Sequence, residues 1–558
     1  MGRSRTYTDG LAMLRITGGK VYDPANGLDG VVRDVCIAGG RVVPAADCEG
    51  DPACRTIDAT GLLVFPGGVD VHTHVAGAAL NFARGMTPEN FRKAVPFLHT
   101  PERRTGLGGI TPTTFATGYL YAGMGWTTVN EAAVPVLSAR HTHEELRDTP
   151  IVDKACLVLM ANNEIVLDLL EEGETERARD AVAWLISAAK AYGVKAVNPG
   201  GIVDWKWGKN ARTLSGPVEG YSRMTPAKII AGLAAIVDDL RLPHPMHIHC
   251  NNLGIPGNAE VTLETMRLLE GRRAHLAHLQ FHAYGGDGWG AMRSESARVA
   301  EYFNSQANLT ADAGAVLFGD AVTITADGPW QHLLHQLTGR KWGNLDVENE
   351  TGCGIVPYTY KGDNVVNAVQ WAIGLELMLL IRDPWRVFLT TDHPNGACFW
   401  RYPEIVQLLM DAEYRRECID ALPARARERI VLADLDREYT LSEIAIVTSA
   451  GPARSLGLRR KGHLGVGADG DVALYSEKPD GRGLIFGSPR YVIKAGEVVV
   501  EEGELRTVVD GRQFVVQPAY DTRIEEYLRP RFQKVYTMSF DNYPVELERV
   551  SHADVLHL

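Results

Sequence analysis

The chain has 558 residues, 45% of them hydrophobic and 23% charged, an ordinary globular balance at a length that usually divides into more than one domain. Its formal net charge of −12 excludes a general nucleic-acid binder. The eight Cys, at 36, 48, 54, 156, 250, 353, 398 and 418, form no CxxC pair, which excludes zinc-ribbon and thioredoxin-type sites and fits reduced thiols. No stretch reaches the roughly 18 uninterrupted apolar residues of a membrane span. The opening MGRSRTYTDGLAMLRITGGK lacks the apolar core of a signal peptide. The expectation is a cytoplasmic protein that binds neither nucleic acid nor membrane, with residues 1–10 a poorly ordered extension or a misplaced start.

Residues 13–65 hold short apolar runs punctuated by Gly and Asp (MLRITGGKVYD, VRDVCIAGGRVV, RTIDATGLLVF), the texture of hairpins in a small sheet. The texture returns at 462–477 and 490–505, so one small β-domain built from both chain ends is expected. Between them, strand-like runs recur at 64–74, 127–134, 154–160, 194–199, 245–251, 273–280, 308–317 and 386–392. Helical stretches such as 174–192 and 364–383 separate several of them. Eight strands alternating with helices predict an α/β fold, a (β/α)8 TIM-type barrel. The division expected is 1–65 and 441–515 for the two parts of the β-sandwich, 66–440 for the barrel, and 516–558 for an aromatic, charge-rich tail that packs on a neighbour.

In chain order, the first chemical signal is VFPGGVDVHTH, ending at His72 and His74. Residues i and i+2 of a strand share a face, so two imidazoles project together from one strand end, where barrel active sites sit. A packed, hydrogen-bonded pair is the plainer use of such a motif, but Asp70 and the Gly-rich turn before it favour metal binding. Lys195 follows in the apolar run YGVKAVNPGG. Taken alone it reads as a lysine that reaches the barrel mouth and pairs with an acid, because a buried ammonium is costly.

HPMHIHCNN supplies His247 and His249; the latter, nearer the strand end, is the candidate ligand and His247 a packed or supporting residue. RAHLAHLQFHAYGG supplies His278 at a strand end and His282 in the following loop, within reach of substrate. VFLTTDHPNG ends the eighth run at Asp392, a turn or cap residue in isolation but a metal ligand and proton shuttle beside four imidazoles. Nitrogen and oxygen donors suit Zn2+ ahead of Mn2+, Fe2+ or Co2+. Asn198 and Asn252, with His282, are candidates to orient a substrate. Lys206, Lys209 and Arg212 in DWKWGKNAR form a basic cluster that would meet an acidic substrate or, more plainly, line a solvated loop.

These residues resemble the amidohydrolase superfamily pattern: an HxH pair, a carbamylated lysine, two later histidines and a last-strand aspartate. A narrower resemblance runs over nearly the whole chain. KAVNPGG, HIHCNNLGIPGN, HLQFHAYGG, TADGPWQ, DVENETGCGIVPY and TTDHPNGACFWRYP look like the A subunits of formylmethanofuran dehydrogenases, and more closely like their bacterial form in the formyltransferase/hydrolase complex. The resemblance implies metal roles for His72, His74, Lys195 (as a carbamate), His249, His278 and Asp392, with two divalent ions. It also implies hydrolysis of an N-formyl furan carrier to formate and free amine, beside B, C and D subunits in one-carbon metabolism. A cyclic-amide hydrolase of the dihydropyrimidinase or hydantoinase kind would share the metal set without needing TADGPWQ or DVENETGCGIVPY. A non-catalytic scaffold protein would not need intact ligands.

Overall fold

Strands buried on both faces read as continuous apolar runs, and such runs build the centre of this molecule. In the computed structural model, eight parallel strands follow in chain order: β1 (Gly68–Thr73), β2 (Trp126–Val134), β3 (Asp153–Leu159), β4 (Gly193–Val197), β5 (Met246–His249), β6 (Ala274–Leu276), β7 (Leu309–Asp312) and β8 (Val387–Phe388). Each pairs in parallel with the next, and a bridge between Thr73 and His393 joins the last to the first. The chain is a (β/α)8 barrel with extra β-sheet built from its two ends. The structure describes all residues except 1–12, 50, 51, 53, 102, 346–352 and 478–482. The expected extension at 1–10 and the DVENETG part of DVENETGCGIVPY therefore lie outside the described residues. Among the described residues, no helix is long and apolar enough to cross a membrane.

The predicted run 64–74 is two strands, not one. Leu62–Pro66 belongs to the outer sheet, and β1 starts at Gly68. Gly67 and Gly68 make the break possible: a Cβ at either would lie 2.4 Å from Thr127 or 2.6 Å from the Trp126 ring. Leu62–Pro66 pairs antiparallel with Val472–Ser476, from Val472 opposite Pro66 to Ser476 opposite Leu62. That pairing sits inside a seven-stranded sheet of mixed origin, which faces a four-stranded sheet formed by residues 14–58. Ile16, Ile37 and Val64 from one end share a core with Leu474 and Ile493 from the other.

Sandwich and barrel meet at a buried ionic hub. Lys494 Nζ lies 2.8 Å from both Asp153 Oδ2 on β3 and Asp471 Oδ2, and donates to the Thr127 carbonyl at 3.1 Å. Lys461 pairs with the same two aspartates, and Arg512 with Asp153 and Asp469. Removing one partner strands a charge that water cannot reach. Lys494→Met is expected to cost about 3–5 kcal/mol in chemical denaturation of the full chain; a loss under about 1 kcal/mol would show that the hub adds little.

Part of the C-terminal region packs on its own chain. Gln513–Gln517 pairs with β3 through Gln513 and Lys154, and Ala553–His557 adds beyond it. The helix Ile524–Val535 buries Leu528 and Phe532. Trp184, on the barrel helix Thr175–Ala189, stacks on Phe540 (4.8 Å between centroids) and Tyr543 (5.5 Å).

A histidine-rich candidate metal centre at the barrel mouth

The strand ends carry His72, His74, Lys195, His249, His278 and Asp392 into one cavity, which Glu131, Thr325, Cys353 and Asn395 also line. Backbone conformation helps to aim them. Asn198, Asn252, His278 and Asp392, each just beyond a barrel strand, have positive φ, a region costly for residues with a side chain. Gly314 makes room for one of them, since a Cβ there would stand 2.3 Å from the His278 Cβ.

His72 and His74 each turn Nε2 to within 3.1 Å of Asp392 Oδ1. Their other nitrogens are held from behind. His72 Nδ1 is 2.9 Å from Asp312 Oδ2, and His74 Nδ1 is 2.9 Å from Glu131 Oε1. Glu131 is also fixed, accepting the N–H groups of Val75 (2.6 Å) and Ala76 (3.0 Å). A carboxylate accepting Nδ1–H leaves Nε2 as a lone pair, the arrangement of metal-ligating histidines. Burial disfavours charge on His74, but Asp392 and Glu131 outweigh it and raise the imidazole to about 9, so a metal ion bound at Nε2 would have to displace a proton there. Burial likewise opposes charge on Asp392, while His72 and His74 hold it down at about 2, so it is ionised at neutral pH.

Lys195 is fully buried. Its Nζ lies 3.5 Å from His72 Nε2, and among the described residues no carboxylate is within ion-pair distance. The expected lysine–acid pair is therefore not formed. Burial pushes the amine down to about 8.

His249 Nε2 faces Asp327 Oδ2 at 3.3 Å. The TADGPWQ motif explains this aspartate: it caps the helix Gly328–Thr338, accepting the Trp330 N–H through Oδ1, which leaves Oδ2 for the histidine. Asn198 steadies it by donating to Asp327 Oδ1 at 3.0 Å. His282, expected in a loop touching substrate, is instead buried in a short 3-10 turn against His249 and His278, with ring centroids 5.3 and 5.2 Å away. Asn252 donates to the Arg212 carbonyl. None of Asn198, Asn252 and His282 lines the cavity. The basic cluster stays outside it as well: Lys206 pairs with Glu164 and Lys209 with Glu219.

The donor set fits divalent cations. His72, His74 and Asp392 offer ligand atoms within 4.8 Å of one another, and so do His249, His278 and His282. His278 Nδ1, both His282 ring nitrogens and Asp392 Oδ1 are buried without a hydrogen-bond partner, an arrangement a folded interior rarely tolerates unless something else satisfies them. Cys353 also faces the cavity, but burial raises its thiol to about 12, so it offers no thiolate. Glu131, Asp312, Asp327 and Asn395 are the working residues that sequence patterns did not single out. A lone charged residue inside the strand-like WTTVNEAAV was the one signal available for Glu131.

A second cavity opens from the first and shares Thr325, Asp392 and Asn395 with it. Phe281, Trp289, Trp330, Tyr358 and Tyr360 line it, and among the described residues Asp392 is its one charged lining residue.

The amidohydrolase family pattern matches residues 55–500. The protein FwdA of Methanocaldococcus jannaschii is 44% identical over 555 residues, covering 96% of each chain. The A subunit of the formyltransferase/hydrolase complex Fhc of Methylorubrum extorquens is 40% identical over 536 residues, covering 93% of this chain and 95% of that one. The crystal structure of the Methylorubrum extorquens FhcABCD complex, solved with methylofuran, contains a chain that superimposes with a TM-score of 0.91 at 37% identity, covering 98% of this chain and 99% of that one. The chain belongs to the amidohydrolase family, in the group that holds FwdA and the A subunit of the formyltransferase/hydrolase complex.

Proposed function

We propose that this chain hydrolyses the N-formyl group of a furan-type carrier amine, giving formate and the free amine, and does so as the A subunit of a complex with B, C and D partners. The observation that carries this reading is the convergence of His72, His74, His249, His278 and Asp392 on a cavity that shares Asp392 with an aromatic groove, in a chain similar over nearly its whole length to the A subunit of a formyltransferase/hydrolase complex. His72, His74, His249, His278, Asp392 and a carbamate on Lys195 would hold two divalent ions, with Zn2+ the best match to the donors. Such ions would polarise the formyl oxygen and acidify water, supplying the electrophilic help a formamide needs.

The residues supply the rest. The groove's aromatic walls exclude water from the carrier's ring and linker and bring its formyl end to Asp392 and Asn395. Asp392, ionised and aimed by two imidazoles, takes a proton from the attacking water as its oxygen bonds to the formyl carbon. It then returns the proton to the amine nitrogen as the C–N bond breaks. The carbamate forms when the neutral Lys195 amine adds to the carbon of CO2 and loses a proton. Among the described residues, no carboxylate pairs directly with the buried amine.

Formate release from formyl-methylofuran by the purified chain, with hydantoin as the competing substrate, tests the reading. Release from the formyl carrier only, abolished by a chelator and restored by Zn2+, is the expected result. Hydantoin opening without formate release would establish the cyclic-amide alternative. Formate release unaffected by the chelator would remove the metal from the reaction.

A further inference from the structure

Below the cavity floor, β5, β6 and β7 carry His247, His275 and Asp312, and His244 lies beneath them; all four are fully buried. Aliphatic side chains usually fill such layers. Here the hydrogen bonds run in one consistent direction. The carbonyl of Ser455 closes the helix Gly451–Ser455 and can only accept, so His244 Nδ1, 2.9 Å away, carries its proton. A neutral imidazole has a single N–H, so His244 Nε2 is a lone pair and His247 Nδ1, at 3.1 Å, donates to it. His247 Nε2 is then also a lone pair, 3.2 Å from His72 Nδ1. Burial keeps both His244 and His247 neutral. Asp312 Oδ2 accepts from the same His72 nitrogen at 2.9 Å and from His275 Nε2 at 3.1 Å. With two acceptors at Nδ1, a neutral His72 keeps its proton there and presents Nε2 to the cavity as a lone pair.

We infer that His247 is a positioning residue: through His244 it transmits the polarity of the Ser455 carbonyl to His72 and locks the tautomer that His72 needs to bind metal. Were His247 to carry its proton on Nε2, that N–H would oppose the His72 N–H across 3.2 Å and compete for Asp312 Oδ2, 3.7 Å away. The inference rests on the reading of His72 as a metal ligand.

Competition for Zn2+ between the full chain and a fluorescent chelator tests it. His247→Leu should weaken binding about 10–100-fold, the usual cost of losing a residue that orients a ligand. His247→Gln, which sets an oxygen acceptor near the former Nε2, should restore affinity to within a few-fold of wild type. His247→Asn, which reaches only the former Nδ1 position, should not, although its thermal midpoint should match that of the Gln variant. Equal affinities for the Gln and Asn variants would overturn the inference, and this comparison stands even if the Leu variant does not fold. His72→Ala is the control. If it loses Zn2+ while His247→Leu and His247→Asn bind like wild type, the tautomer lock is wrong. If it keeps wild-type affinity, the metal role of His72 fails first, and the lock with it.

Discussion

Replacing Asp392 with Asn is expected to lower turnover of the formyl carrier about 10²–10⁴-fold, the range supplied by a positioned acid–base group, with metal content within a factor of two of wild type. The amide has nearly the same shape and still offers an oxygen between His72 and His74, which lie 3.1 Å from Asp392 Oδ1. What it cannot do is accept a proton from water and return it to the amine. Metal analysis and single-turnover formate release on the same preparation separate the two roles. Near wild-type release would eliminate Asp392 as the shuttle. Loss of metal along with turnover would make it a ligand first.

Lys195→Ala is expected to have a larger effect on the metal centre. Its Nζ lies 3.5 Å from His72 Nε2, and on β4 it is paired with Leu159 and His247 of the flanking strands. With the proposed carbamate in place, truncation would remove an anionic group from the centre and leave a slot about the size of a short carboxylic acid. Turnover should fall by more than the 10–100-fold typical of an outer-layer partner. Millimolar propionate should restore a measurable part of it, while methylammonium, which supplies only the amine, should not. Full metal loading and activity in the unrescued variant would dismiss the carbamate.

The barrel could be read from the sequence because both faces of a parallel strand are buried, so β2 to β8 appear as apolar runs whose last residues carry the chemistry. The ligand candidates followed, since an imidazole or carboxylate at the end of such a run has few structural uses. Their supports were harder to see. His74 and Glu131 are 57 residues apart, and His72 and Asp312 are 240 apart; nothing local links a lone carboxylate to the ring it orients. His282 was misplaced for a related reason. A short 3-10 turn has no periodicity to mark it, so the residue looked like loop when it is packed under His249 and His278. The aromatic tail showed that it would pack, but an apolar stripe does not say on which surface; part of it covers Trp184 of the same chain.

The pairing of Leu62–Pro66 with Val472–Ser476 also sets a timetable for synthesis. As the chain leaves the ribosome, the first of these strands emerges early and waits with one edge bare until residue 476 has been made. The acidic side of the hub waits longer still, since Asp153 meets Arg512, 359 residues further along the chain. A strand edge left open in this way is free to pair wrongly until its partner has been made, so synthesis of residues 472–512, more than closure of the barrel, is the step that commits the protein to its final shape.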